Sequence, residues 1–329
     1  HEKGRFPQPV GRASRRASFP THVVRQAAMF YHVRQRLARG CVQMAMMQVI
    51  RRVAVGFLLG MWLSFAHAAG PGVRSEAYLA VDAQTLAVLA QHGNPEEPRP
   101  IASITKLLTA LVVLDAQQPL DERITITHAD YDRIKGTRSP LSAGTQLTRS
   151  EALKVALMAS DNRAAMALAR HYPGGPEAFV RAMNVKAKML GMRHSRFVDP
   201  AGLSPENVAS MNDLVRLVRA AYQHPLIRNY STQEETVVRT RSGLVRFRST
   251  NALVRNDSMP VALQKTGYTR EAGRCLALVT PVKGRPTIFV LLNSWGKYTR
   301  IADAKRLRYW LETGKPLPAR AQQGGRRTG

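Results

Sequence analysis

Cysteine is nearly absent from this chain, with only Cys41 and Cys275 among 329 residues. Cys41 lies ahead of the export signal described below, so the mature part keeps one thiol and no internal disulfide can brace it. Cys275 stands in the apolar run Cys-Leu-Ala-Leu-Val, the setting of a thiol that fills core rather than reacts. Aromatic residues are also scarce, at 6%, yet 44% hydrophobic content is enough for a substantial core. The apolar stretch Val53 to Phe65 has 13 residues, short of the ~20 that a membrane-spanning helix needs. The histidines beyond it (His92, His128, His171, His194, His224) show no ligand spacing, so neither a metal nor another cofactor is expected.

Acidic residues are few: 22 Asp and Glu face 49 Lys and Arg, a formal charge of +27. Residues 1–43 hold +8 of this and residues 44–68 hold +2, which leaves +17 for residues 69–329. A field of that sign favours polyanions such as nucleic acid, anionic lipid or an acidic cell-wall polymer, without choosing among them.

Residues 44–68 read as a secretory signal. Arg51-Arg52 form its positive region, Val53 to Phe65 its apolar region, and Ala66-His67-Ala68 its small-x-small cleavage pattern. A signal peptide has to be N-terminal, yet 43 residues precede this one and the chain begins with His. Residues 1–43 are therefore expected to be a non-native or disordered upstream segment. The mature protein is expected in the periplasm, with no stable membrane anchor.

Beyond the signal, Tyr78–Val81 and Leu86–Ala90 read as two strands around the turn Asp82-Ala83-Gln84-Thr85. Ile101–Ala116 reads as an apolar helix. Thr148-Arg149-Ser150-Glu151 has the capping-box pattern before a helix to about Met158. Further helices are expected from Arg163 to Tyr172, from Pro176 to Gly191, and after the Ser210 cap as far as Pro225. From Leu244 the pattern turns to strands, with Val261–Thr266, Arg274–Val282 and Thr287–Leu292 the clearest. A last amphipathic helix runs from about Tyr298 to Leu311 and meets Gly314. The tail, 314–329, is basic and expected to be disordered. This order predicts an α+β fold for residues 69–313. A sheet lobe would come from about 77–105 and 225–313, with an all-helical lobe, about 106–224, inserted. A cleft between two such lobes is a common place for a site.

Three short patterns carry chemistry. In Ser103-Ile104-Thr105-Lys106, positions i and i+3 share a helix face, so the lysine amine can bend back to the hydroxyl. A helix N-terminus also leaves backbone N–H groups free to stabilise an oxyanion. For Lys106 to act as a base its pKa must fall from ~10.4, which burial or a nearby cation achieves. Ser294-Trp295-Gly296-Lys297 has the same spacing but sits where a strand ends. Ser160-Asp161-Asn162 is one of three Ser-x-Asn tripeptides. Ser210-Met211-Asn212 begins at a helix cap and Ser249-Thr250-Asn251 leads toward strands, whereas Ser160 lies at a sharp link between apolar helices. Lys265-Thr266-Gly267 occurs once, at the end of a strand. Its lysine and hydroxyl suit a substrate carboxylate, the glycine permits close approach of substrate backbone, and the Tyr268 N–H suits an oxyanion. Each pattern alone also fits an ordinary cap, loop or turn.

The trio in this order resembles the low-molecular-mass penicillin-binding proteins, and their D-alanyl-D-alanine endopeptidase subgroup most of all. The likeness extends over roughly residues 75–315 and is closest in Arg99–Gln117, Asn162–Met192 and Lys297–Lys315. It implies a β-lactamase/DD-peptidase-like fold, with an antiparallel sheet flanked by helices. It also implies that Ser103 is acylated and Lys106 takes its proton, while Ser160 and Asn162 relay protons and hold the substrate peptide. Lys265 and Thr266 would bind the carboxylate, and the N–H groups of Ser103 and Tyr268 would form the oxyanion hole. Some relatives carry an arginine immediately ahead of an Asn-x-Leu before Lys-Thr-Gly. Here Thr250 stands in that place, and Arg300 is a candidate helper. Peptidoglycan is the implied substrate, β-lactams the implied inhibitors, and cleavage of D-alanyl cross-links the implied reaction. D-alanyl-D-alanine carboxypeptidase is the alternative, since both substrates place a free carboxylate beside the scissile bond.

Two rivals are weaker. A serine β-lactamase of class A needs a Glu-x-x-Leu-Asn between Ser160 and Lys265, and only Glu206-Asn207 comes near it. A non-catalytic basic protein binding cell wall or another polyanion has the charge alone in its favour. A nucleic-acid partner is not expected, because no zinc spacing, RNP-like aromatic pattern or basic zipper helix is present.

Overall fold

The computed structural model describes residues 70–241 and 243–318. The upstream segment, the signal and the tail beyond 318 lie outside the described residues.

Alternation with a period of two builds the centre of the molecule. Strand β1 (Ser75–Asp82) sends Ala77, Leu79 and Val81 to one face and Tyr78 and Ala80 to the other, and all are buried. A strand apolar on both faces needs cover on both sides. β2 (Val88–His92) pairs with it across the turn at Asp82, whose carboxylate accepts the N–H groups of Gln84 and Thr85.

Helix α1 (Lys106–Asp115) is buried on all sides from Lys106 to Val113. A segment apolar all round belongs at the centre of a helical layer. Around it pack α2 (Arg149–Met158), α3 (Asn162–Arg170), α4 (Gly175–Met189) and α5 (Met211–Gln223). The expected capping box is present: the Thr148 hydroxyl accepts the Glu151 N–H, and the Glu151 carboxylate accepts the Thr148 N–H. Such a cap stabilises a helix by about 1 kcal/mol. Ser210 caps α5 with its hydroxyl alone, which accepts the Asp213 N–H.

Pro225 ends α5 as expected, but it also opens a further short helix, α6 (Pro225–Ser231), because proline is well suited to a first helical turn. A two-stranded ribbon, Glu235–Thr240 with Gly243–Arg248, then begins earlier than the expected Leu244. Ser249 leads into the one-turn helix α7 (Ala252–Arg255) and not into a strand, because Asn251 caps it with its side chain on the Leu253 N–H.

The chain returns to the sheet with β3 (Leu263–Thr269), β4 (Gly273–Val282) and β5 (Arg285–Ser294) and closes with α8 (Thr299–Thr313), stopped by Gly314 at φ +70°. The five strands are antiparallel in the order β2-β1-β5-β4-β3. Residues from both ends of the domain thus meet in β1 and β5. One face of the sheet packs on α8 through Leu276, Leu278, Phe289 and Leu291 against Ala304 and Leu307. The other face joins the large core that contains α1 and α5. The fold is α+β, and β3 is an edge strand.

Candidate active site

Ile101–Ala116 is not one uniform helix. Ala102–Thr105 form a 3-10 turn ahead of α1, with Ala102 at φ +48°. A left-handed alanine costs about 1–2 kcal/mol and persists only where its surroundings hold it. Two glycines make the room. A Cβ on Gly202 would lie 2.0 Å from the Ala102 carbonyl oxygen, and one on Gly267 would lie 2.8 Å from the Ile101 oxygen and 3.3 Å from the Ser103 nitrogen. The turn bearing Ser103 is therefore wedged between the 199–204 loop and strand β3.

Lys106 begins α1 and is 1% exposed. Its Nζ lies 2.9 Å from Ser103 Oγ, 2.6 Å from Asn162 Oδ1 and 2.8 Å from the Ala201 oxygen. The two carbonyl-type oxygens can only accept. A neutral amine has two N–H bonds and one lone pair, so those oxygens take both hydrogens and the lone pair is left for Ser103. Burial lowers the Lys106 pKa to about 7, against the opposing pull of the Asp199, Asp161 and Asp132 carboxylates.

Ser160 sits in the link between α2 and α3 at φ +60°, a second left-handed non-glycine residue. Asp161 caps α3 through the Ala164 N–H, and burial raises its pKa. From β3, Lys265 Nζ donates to Ser160 Oγ at 2.9 Å and to the Thr266 oxygen at 2.9 Å. Burial pushes Lys265 well below its ordinary pKa, and the Lys106 and Arg300 cations add to this. Lys265-Thr266-Gly267 lies within β3 and not at its end, since pairing with β4 continues to Thr269. Tyr268 follows and is 54% exposed.

The structure thus brings together Ser103, Lys106, Ser160, Asn162 and Lys265, and sets Gly267 against the Ser103 turn. Thr250 does approach the third motif: its hydroxyl is 2.6 Å from that of Thr266. Arg300 is buried, and its Nη1 donates to the oxygens of Gly267 and Cys275 from beneath the strand. Burial lowers its pKa to about 10, which leaves it charged. Ser294 and Lys297, the alternative Ser-x-x-Lys, lie apart: Ser294 Oγ meets Ser75 Oγ at 2.6 Å, and Lys297 Nζ lies over the Tyr298 ring. Glu206 pairs with Arg196 at 3.1 Å, and Asn207 is engaged with Asp199.

Sequence reasoning missed the 199–204 loop. The Asp199 carboxylate accepts N–H groups from Ala201, Gly202, Leu203 and Ser204, which turns the Ala201 oxygen toward Lys106. Asp199-Pro200-Ala201-Gly202 is a turn sequence of the Asp-Pro-x-Gly kind, so the bend was readable though not its target. A hollow of about 640 Å³ is lined by His128, Tyr131, Ser142, Ala143, Gly144 and Arg241, and neither Ser103 nor Lys106 is part of its lining.

Known proteins share this arrangement of chain. A family profile described as D-alanyl-D-alanine carboxypeptidase matches residues 65–296. The D-alanyl-D-alanine endopeptidase of Escherichia coli K12 is 44% identical over 256 residues, covering 77% of this chain and 82% of that one. The enzyme of the same name from Pseudomonas aeruginosa is 46% identical over 252 residues, covering 75% and 81%. Among solved structures, a point mutant of the Streptomyces K15 DD-transpeptidase superposes with a TM-score of 0.67 at 25% identity, over 74% of this chain and 99% of that one. By the span of the profile and the closeness of these relatives, this chain belongs to the D-alanyl-D-alanine carboxypeptidase family.

Proposed function

We propose that this protein is an exported serine D-alanyl-D-alanine endopeptidase that hydrolyses D-alanyl cross-links in peptidoglycan. The observation that carries the chemistry is the environment of Lys106, whose Nζ lies within hydrogen-bond distance of Asn162 Oδ1, the Ala201 oxygen and Ser103 Oγ. In the neutral amine the first two take its hydrogens and the lone pair is left for Ser103. Ser103 Oγ attacks the D-alanyl carbonyl carbon as its proton passes to Lys106 Nζ. The tetrahedral oxyanion is held by the N–H groups of Ser103 and Tyr268. Collapse breaks the C–N bond, and the leaving amine takes a proton through the Lys106, Ser160 and Lys265 group. Water then enters along the reverse path, releases the D-alanyl carboxylate and restores Ser103.

Lys265 and Thr266 hold the substrate's free carboxylate. A desolvated lysine regains its charge when that anion arrives beside it. Thr250 pairs its hydroxyl with that of Thr266 where some relatives place arginine. Arg300 braces the Gly267 carbonyl from behind and contributes positive potential.

Endopeptidase action is favoured over carboxypeptidase action because the relatives at 44% and 46% identity bear the endopeptidase name. Export through residues 44–68 places such an enzyme beside its substrate, in the periplasm. Among the described residues no helix is long and apolar enough to cross a membrane.

The test uses purified protein with cross-linked muropeptide dimers and with pentapeptide monomers. Dimers are expected to be converted to monomers faster than pentapeptides lose terminal D-alanine. The opposite ranking supports the carboxypeptidase reading. Fluorescent penicillin is expected to label the wild type with an adduct lasting minutes or longer and to leave Ser103→Ala unlabelled. Label on the alanine variant, or rapid penicillin turnover, contradicts the proposal.

A further inference from the structure

The loop between Tyr131 and Pro140 is attached both to the turn after β3 and to the Ser160-Asp161-Asn162 segment, and its central threonine touches Asn162. Asp132 organises it: Oδ1 accepts the N–H groups of Ile134 and Lys135, and Oδ2 accepts the Thr137 N–H at 2.9 Å and the Thr137 hydroxyl at 2.6 Å. Lys135 reaches the turn between β3 and β4, where its Nζ lies 2.5 Å from Glu271. The Ser139 hydroxyl donates to Asp161 at 2.6 Å, within the Ser160-Asp161-Asn162 segment. Asn162 Nδ2 donates to Thr137 Oγ1 at 2.8 Å.

These contacts have a direction. Burial pushes the Asp132 carboxyl up, but the hydrogen bonds from Thr137, Lys135 and Ile134 outweigh it and hold the pKa below its ordinary value. Asp132 is therefore ionised near neutral pH and can only accept. The Thr137 hydroxyl has one hydrogen and gives it to Asp132, so toward Asn162 it can only accept. Asn162 must then present its NH₂ to Thr137 and its carbonyl oxygen to Lys106. We propose that Thr137, aligned by Asp132, is a positioning residue that sets the amide orientation of Asn162 and so aims the Lys106 lone pair at Ser103. This rests on the acyl-transfer reading above and extends it to a residue outside the three motifs.

The consequence of losing that direction follows from the same geometry. With the Asn162 amide turned over, its N–H would point at Lys106 and take up the lone pair that Ser103 needs. The ammonium form of Lys106 would also lose an acceptor, so the free amine would be favoured at lower pH. The charges facing Lys106 are Asp199, Asp161 and Asp132, which hold its pKa up, and Lys265, which shares the cleft. Thr137→Val leaves Asp199, Asp161 and Lys265 as they are. It takes one hydrogen bond from Asp132, whose bonds from the N–H groups of Ile134, Lys135 and residue 137 remain.

Thr137 is exposed on its loop, so valine, which matches its shape and lacks the hydroxyl, leaves the core untouched. The experiment measures the rate constant for acylation by a fluorescent penicillin between pH 5.5 and 9 in wild type, Thr137→Val and Thr137→Ser, with melting temperatures alongside. Thr137→Val is expected to acylate about tenfold to a hundredfold more slowly at its plateau, the cost of misaligning a reacting group. Its acid limb should move to lower pH and its melting temperature should hold. Thr137→Ser, which restores the hydroxyl, should return to within about threefold of wild type with the limb in place. Wild-type rates and an unmoved limb in Thr137→Val overturn the inference, as does a serine variant as slow as the valine one. If the wild type itself fails to acylate at Ser103, the function proposed above fails first. If it acylates and the valine change has no effect, only the role of Thr137 falls.

Discussion

Replacing Lys106 with methionine is expected to slow acylation of Ser103 by about a thousandfold, within the range for removal of a positioned general base. Methionine is close to the lysine stem in length and suits a site that is almost closed to solvent. The fold should survive, because the change removes a buried amine whose burial already opposes its charge. It leaves Asn162 Oδ1 and the Ala201 oxygen without their donor, so a modest loss of melting temperature is expected beside the large loss of rate. The wild-type pH profile makes the same point from the other side. With the Lys106 pKa lowered to about 7, the free amine is a minor species at pH 6 and the main one at pH 8. Acylation should therefore rise with pH through about 7 and level off above it, since the base works only when unprotonated. Stopped-flow acylation by a fluorescent penicillin measures both. A methionine variant that acylates within tenfold of wild type, or a wild-type rate that is flat from pH 5.5 to 8, would remove Lys106 from the role of base.

The second large effect is expected from a single methyl group. In Gly202→Ala the new Cβ would stand 2.0 Å from the Ala102 oxygen and 2.8 Å from Thr105 Oγ1, at a residue whose φ is +76°. Neither side yields readily. The 199–204 loop is fixed by the Asp199 carboxylate, and Ala102 is backbone already held in a left-handed conformation. Overpacking and an unfavourable φ together cost about 2–4 kcal/mol. At about 2–4 °C per kcal/mol for a domain of this size, melting should fall by roughly 10 °C. The turn that carries Ser103 and the carbonyl of Ala201 would separate, so penicillin labelling should fall even well below the melting transition. Calorimetry and labelling at 20 °C read the two effects. A variant with unchanged melting and labelling would show that the loop and the Ser103 turn do not depend on one another.

How much of this was legible beforehand varies by element, for physical reasons. The two-sided apolar strands and the largely apolar α1 could be read directly, because a segment with apolar residues on every face has nowhere to go but the interior. Caps at Thr148, Ser210 and Gly314 were legible because a cap is a local hydrogen bond between near neighbours in the chain. The ribbon from Glu235 and the short helix at Ala252 were misplaced. Their residues mix aliphatics with arginines; the ribbon was decided by its own pairing and by packing of its first strand against α2, and the short helix by the Asn251 cap. The three motifs carried the family resemblance, yet each alone had an innocent reading, and Ser294 with Lys297 had the same spacing as Ser103 with Lys106. What separates those pairs is that one starts a buried helix and the other follows the end of a strand.

By itself the order of residues determined which segments are buried, where helices begin and stop, and that a serine and a lysine share one helical turn. Tertiary structure alone decided that Lys106 would be left a lone pair and no spare hydrogen. The acceptors responsible, Asn162 and the carbonyl of Ala201, lie 56 and 95 residues away along the chain. Thr137 and Asp132, which orient one of them, sit on a loop that no pattern marks. A base is made by what surrounds it, and those surroundings exist only once distant segments have packed together.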